Sequence, residues 1–163
     1  MRPSPTALAL ALLLAVIPFA HAIIPTASCT FKTFNAPNGY SIYGVGGIDD
    51  NGNVVGQLQN KKTGNIVAFN RSPNGTYTTY DVPNSYMTSF NHRIDSGVVV
   101  GTYQDNAKLH MHGFALSGGN MVTVNYPKAV QTWLYGMNSS GTVVGSYTTG
   151  LYSKGFQLAN GTY

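Results

Sequence analysis

Apolar residues in this chain come in short runs, broken every few positions by glycine, asparagine, aspartate or proline, and one run recurs. Val-Val-Gly stands at 54–56, 99–101 and 143–145, at steps of 45 and then 44 residues. A period of that length marks stacked supersecondary units, each unable to bury its apolar face alone. Other features recur in phase with it. A phenylalanine after a small residue follows at Ala68-Phe69, Gly113-Phe114 and Gly155-Phe156, then a turn at 73–77 (PNGTY), 118–121 (GGNM) and 159–163 (ANGTY). Pro37, Pro83 and Pro127 punctuate the units, and an aromatic run (YSIYG, YMTSF, TWLYG) leads back through a second turn to the next Val-Val-Gly. Four β-prone runs per unit, separated by turn residues, predict a four-stranded antiparallel meander.

Within such a unit, paired valines suit a strand covered on both faces, and the glycine after them predicts close approach by a neighbouring sheet. The tripeptide is therefore read as structural. Residues 30–37 (TFKTFNAP) match 76–83 (TYTTYDVP) in residue type, so the chain opens with a fourth-strand run that belongs to no preceding unit. The last unit stops where its own fourth run begins.

The fold class expected is all-β: a repeat of four-stranded antiparallel meanders, β-propeller-like with about three blades, with a β-trefoil as the alternative. Closed propellers have about four to eight blades. Three units then imply a truncated array, assembly with further copies, or a different closure. Residues 30–35 decide among these, as a strand paired with residues 154–158 or as a free edge; separation is the expected outcome, because three blades would have to bend steeply at each interface.

Residues 1–22 read as a signal peptide: Arg2, an apolar stretch of about 14 residues against the roughly 20 of a membrane span, and Ala20-His21-Ala22 as the cleavage site. The mature chain then starts at Ile23, forms one β-repeat domain over 23–163, and is secreted or extracytoplasmic without a membrane span. Acylation of Cys29 is the alternative route of export. Cys29 is the single cysteine, so no internal disulfide framework holds the fold. Charged residues make up 9% of the chain, glutamate is absent, and the net charge of +4 comes from scattered groups rather than a basic run, which argues against nucleic acid as a partner.

These residues resemble the secreted bacterial HAF-repeat proteins, named for a His-Ala-Phe signature. The match runs from about Thr30 to Tyr163. It is carried by His112-Gly113-Phe114, by Val67-Ala68-Phe69 and Lys154-Gly155-Phe156 without the histidine, by the NGTY turn, and by the stretch from Gly136 to Gly145. The resemblance implies an extracellular, propeller-forming repeat without an established catalytic motif.

Catalytic, cofactor and metal sites are all expected to be lacking. His110 and His112 share a strand face but have no third ligand at suitable spacing. The run DDNGN at 49–53 lacks the frame of a calcium loop and reads as a turn. The sequons at Asn70, Asn74, Asn138 and Asn160 read mostly as turn chemistry.

If the units are blades, one loop face gathers Lys61, Lys62, Lys108, Lys128 and Lys154 with Tyr40, Tyr86, Trp133 and Tyr152, while Asp49, Asp50 and Asp95 go to the other. Rings that pack on sugar faces beside ammonium groups suit an acidic glycan or a surface protein. The expected function is an exported, non-enzymatic binding module that self-associates through open blade edges. The alternatives are a fragment of a polysaccharide-active propeller enzyme and a purely structural surface protein.

Overall fold

The computed structural model describes residues 30–162. The signal segment at 1–22, the start at Ile23, Cys29 and Tyr163 lie outside the described residues. From Phe34 onward the chain packs as one compact unit. The described residues are all-β: β1 (Tyr40–Ile48), β2 (Val54–Asn60), β3 (Ile66–Arg71), β4 (Tyr77–Tyr80), β5 (Ser85–Arg93), β6 (Val99–Asp105), β7 (Met111–Ser117), β8 (Asn120–Val124), β9 (Gln131–Met137), β10 (Val143–Thr148) and β11 (Ser153–Leu158). No helix long and apolar enough to cross a membrane is present among them.

Three antiparallel meanders follow one another: β1–β4, β5–β8 and β9–β11. A single parallel pair, Ile66 with Met87, joins the first two into an eight-stranded sheet, and neither sheet closes on itself. The turns explain why the chain doubles back where it does. In the three turns that lead into Val-Val-Gly, the amides of Gly52, Gly97 and Gly141 donate to the carbonyls of Asp49, Ile94 and Asn138. Each of these glycines has φ between 79° and 89°, a left-handed conformation that costs other residues strain. At Ala159–Thr162 the amides and carbonyls of the end residues are exchanged around left-handed Asn160 and Gly161, the geometry Asn-Gly favours in a two-residue hairpin. Among the sequons, Asn74 and Asn138 accept backbone amides within turns, whereas Asn70 lies inside β3.

Each Val-Val-Gly strand is the second of its meander and is paired on both sides. Its glycine is needed for a reason that differs from the expected one. A Cβ on Gly56, Gly101 or Gly145 would strike the carbonyl oxygen of Gly44, Ser89 or Trp133 in the adjacent first strand. It would also come within 2.8, 2.6 or 2.7 Å of the ring of Phe69, Phe114 or Phe156 on the third strand. The first strand bulges next to the glycine, which tips its carbonyl inward. Close approach thus occurs within one meander, between its own three strands, and not between neighbouring sheets.

The apolar cores lie between meanders. Val55 and Ala68 of the first meet Phe90, Val99 and Phe114 of the second, with Tyr80 packed alongside. On the other side of the second meander, Val100 meets Leu134, Met137 and Val143 of the third. The two interfaces are built alike. The residue paired with the Val-Val-Gly glycine, Phe90 or Leu134, enters the face of the preceding meander. Gly113 makes room for Leu134, because a Cβ there would lie 2.6 Å from its Cγ.

Residues 30–37 form no strand, and among the described residues β11 is paired only with β10. The free-edge strand expected at 30–35 is therefore absent; without a partner ladder to satisfy its backbone, the segment runs as coil. Phe34 lies under the Arg71 guanidinium, 5.1 Å from its ring centroid, and the Asn35 carbonyl accepts from the Tyr77 hydroxyl at 2.9 Å.

Candidate binding surface

Strand direction sorts the connections into two ends. The parallel pair between β3 and β5 puts the β2–β3, β6–β7 and β4–β5 loops at one end. The turns after β1, β5 and β9 meet at the opposite end, around a shared cavity, so the β8–β9 and β10–β11 loops belong with the first group.

The structure places most of the expected residues at that first, loop end. Lys61 and Lys62 are exposed in the β2–β3 turn, where the Asn60 side chain accepts the Lys62 amide and the Lys61 amide caps Gly39 just before Tyr40. Tyr86 sits at a bulge between Ser85 and Met87, which turns its ring outward at 51% exposure. Lys108 is exposed in the β6–β7 loop and Tyr152 in the β10–β11 loop. Lys154 lies one rung into β11, opposite Tyr147 and within electrostatic reach of Tyr126. Trp133 is the exception: it is half-buried inside β9, two rungs from the end, opposite Ser146.

Lys128 has φ 62° at the third position of a turn closed by the Ala129 amide donating to the Tyr126 carbonyl. Gly39 and Asn84 hold the equivalent places in their turns, as expected of residues that tolerate the left-handed region. Leu109, at φ 57°, is also held in the left-handed region, and Leu109, Val130 and Leu151 are all exposed at this end. These aliphatic residues fall outside the aromatic and cationic types expected at this end; leucine where the first unit has Gly64 is the signal the sequence carries.

Acidic groups at the loop end are occupied internally. Asp81 accepts the hydroxyls of Ser85 and Thr88. Asp105 accepts the Lys108 amide at 2.6 Å and His112 Nε2 at 2.8 Å, while the Asn125 amide donates to His112 Nδ1 and the imidazole stacks on Tyr103. Both His112 nitrogens are thus used within the scaffold. The Lys108 amide first, and His112 second, hold the Asp105 carboxyl down at about 2. A depressed folded pKa adds stability above the ordinary aspartate range, near 3.9, that is lost as pH falls through the folded value. NMR of the side-chain carboxyl should therefore show Asp105 titrating at about 2, with the Lys108 amide resonance moving in the same step; a midpoint in the ordinary range would contradict the loop geometry.

At the opposite end, a cavity of about 380 Å³ is lined by Asp49, Asp50, His92, Arg93, Asp95 and Asn138 among others. Its carboxylates hold the first two meanders together. Asp49 takes the Arg93 guanidinium at 2.8 Å and both the amide and side chain of Asn53; the Asp50 amide donates to Asp95 at 2.8 Å. Burial pushes the Asp49 carboxyl up, but Asn53 and then Arg93 outweigh it and leave the pKa lowered. Among the described residues no group of three or more His, Cys, Asp or Glu is placed to hold a metal ion.

No family model matches the chain, and neither the curated proteins nor the solved structures give a match.

Proposed function

We propose that the three meanders are propeller-type blades of an exported, non-enzymatic protein of the HAF-repeat kind, and that their loop end binds an acidic glycan. Support for the blade reading comes from face-to-face packing of successive meanders, each inserting its first strand against the one before, in sheets that do not close. One observation carries the binding reading. Exposed Lys61, Lys62, Lys108 and Lys128 share an end with exposed Tyr86, Leu109 and Tyr152, while Asp81 and Asp105 at that end are bound to protein donors. Uncompensated ammonium groups beside apolar surface fit a polymer that offers carboxylates and sugar faces.

Polygalacturonate is a suitable probe, with neutral dextran as control. The wild-type protein should bind the former in a salt-sensitive way, without generating new reducing ends. Replacing Lys61, Lys62, Lys108 and Lys128 by glutamine should weaken binding at least tenfold, about 1.4 kcal/mol. Equal binding by the variant, or cleavage of the polymer, would overturn the proposal.

A further inference from the structure

The two internal interfaces define a matching pair of surfaces that the chain leaves open at its two sides. In each meander the residue paired with the Val-Val-Gly glycine is a knob: Val45, Phe90 and Leu134. Phe90 and Leu134 are 4% and 0% exposed in the preceding meander, whereas Val45 is 57% exposed, with Tyr43 and Ile48 exposed on the same strand. The sockets correspond. The second valine of the tripeptide, together with a small residue on the third strand, receives the knob in the first two meanders, Val55 with Ala68 and Val100 with Gly113, and Val144 with Gly155 hold the equivalent positions in the third. Val55 and Val100 are 0% exposed; Val144 is 46% exposed, and Gly155 is exposed as well.

We infer that the first meander of one copy docks on the third meander of a second copy, Val45 entering the socket of Val144 and Gly155, and that two copies close on each other. The occupant is a second copy because the chain makes this joint twice within itself, and among the described residues the knob of the first meander and the socket of the third are the two halves of that joint left exposed. A joint between unlike surfaces forms a ring where its rotation closes and an open filament where it does not. Two copies supply six meanders, inside the range of about four to eight that close a propeller ring. The stretch ending at Pro37 fits the same arrangement. Phe34 lies against Arg71 of the first meander and Asn35 against Tyr77, and Tyr80, the counterpart of Phe34 in the next unit, lies beside Phe90 and Phe114 of the second. In the dimer this stretch would stand next to the partner's β11, whose outer edge carries no strand among the described residues.

The inference rests on the blade reading and not on the glycan reading, so failure of polygalacturonate binding leaves it intact. Light scattering coupled to size exclusion should give twice the chain mass for the wild-type protein. Val45→Asp and Val144→Lys, both at exposed positions and checked for folding by circular dichroism, should each give the monomer mass. Their equimolar mixture should recover the dimer, since one joint is then wild-type and the other pairs aspartate with lysine. A wild-type monomer at every concentration, an open-ended polymer, or dimers that survive either single substitution would overturn it.

Discussion

Gly101→Ala should destabilise the protein by about 3 kcal/mol or more, the upper end of what overpacking a core costs. The new methyl group would meet the Ser89 carbonyl oxygen on one side and the Phe114 ring, 2.6 Å away, on the other. Neither can yield cheaply. Ser89 lies in the β5–β6 ladder, and Phe114 is fully buried in the core shared with the first meander. Relief requires either strand separation or ejection of the ring. Against a total stability of about 5–15 kcal/mol for a domain, the urea midpoint should fall by a fifth or more. Gly150→Ala is the control, since no atom lies within 4 Å of a Cβ there and its φ is not left-handed. The same change at Gly145 should cost less than at Gly101, because the ring it would meet, Phe156, is only half-buried where Phe114 is fully buried. Equal midpoints for Gly101→Ala and wild type would show that the close approach is not structural.

Arg93→Ala should cost about 3 kcal/mol, the low end for stranding one partner of a buried pair. The Asp49 side chain is 0% exposed and would lose its guanidinium while remaining in place. The pH dependence has a definite sign. In the wild type Asp49 has a lowered pKa, so its contribution is present above the ordinary aspartate range and is lost as pH falls through the folded value. Without Arg93, burial acts with less opposition and raises the carboxyl, so the deficit of the variant relative to wild type should shrink as pH falls from 7 toward 4. Adding Asp49→Asn should recover part of the loss at neutral pH. The third meander shows why: Asn138, at the place of Asp49, accepts the Thr142 amide at 2.9 Å much as Asp49 accepts that of Asn53 at 2.8 Å. Urea titrations of the single and double variants at two pH values check this. A double variant no more stable than Arg93→Ala at pH 7 would count against a stranded charge.

Strands and turns were legible in the sequence because their signals are local. Val-Val-Gly and the glycines of the preceding turns mark the second strand and its entry in all three units, and Asn160-Gly161 announces its own hairpin. What needed the structure is what depends on bulges or on distant partners. Trp133, expected on the loop face, lies two rungs inside β9. Tyr86 faces outward because of a bulge that no residue type announces. The Asp49–Arg93 pair spans 44 residues between two meanders, and nothing in either turn names the other. Thr88 and Thr132 carry no signal of their role in the sequence. Each is buried and accepts the amide of Val82 or Tyr126, which anchors the loop entering its strand.

Because each core is made by unlike faces of consecutive meanders, the unit that heredity can copy is larger than a strand and smaller than a domain. A tandem duplication of one 44- or 45-residue period would bring a knob for the meander before it and a socket for the one after, both already in register. The gene can therefore lengthen or shorten by whole periods without first inventing a new interface, and selection is left to act on the loops.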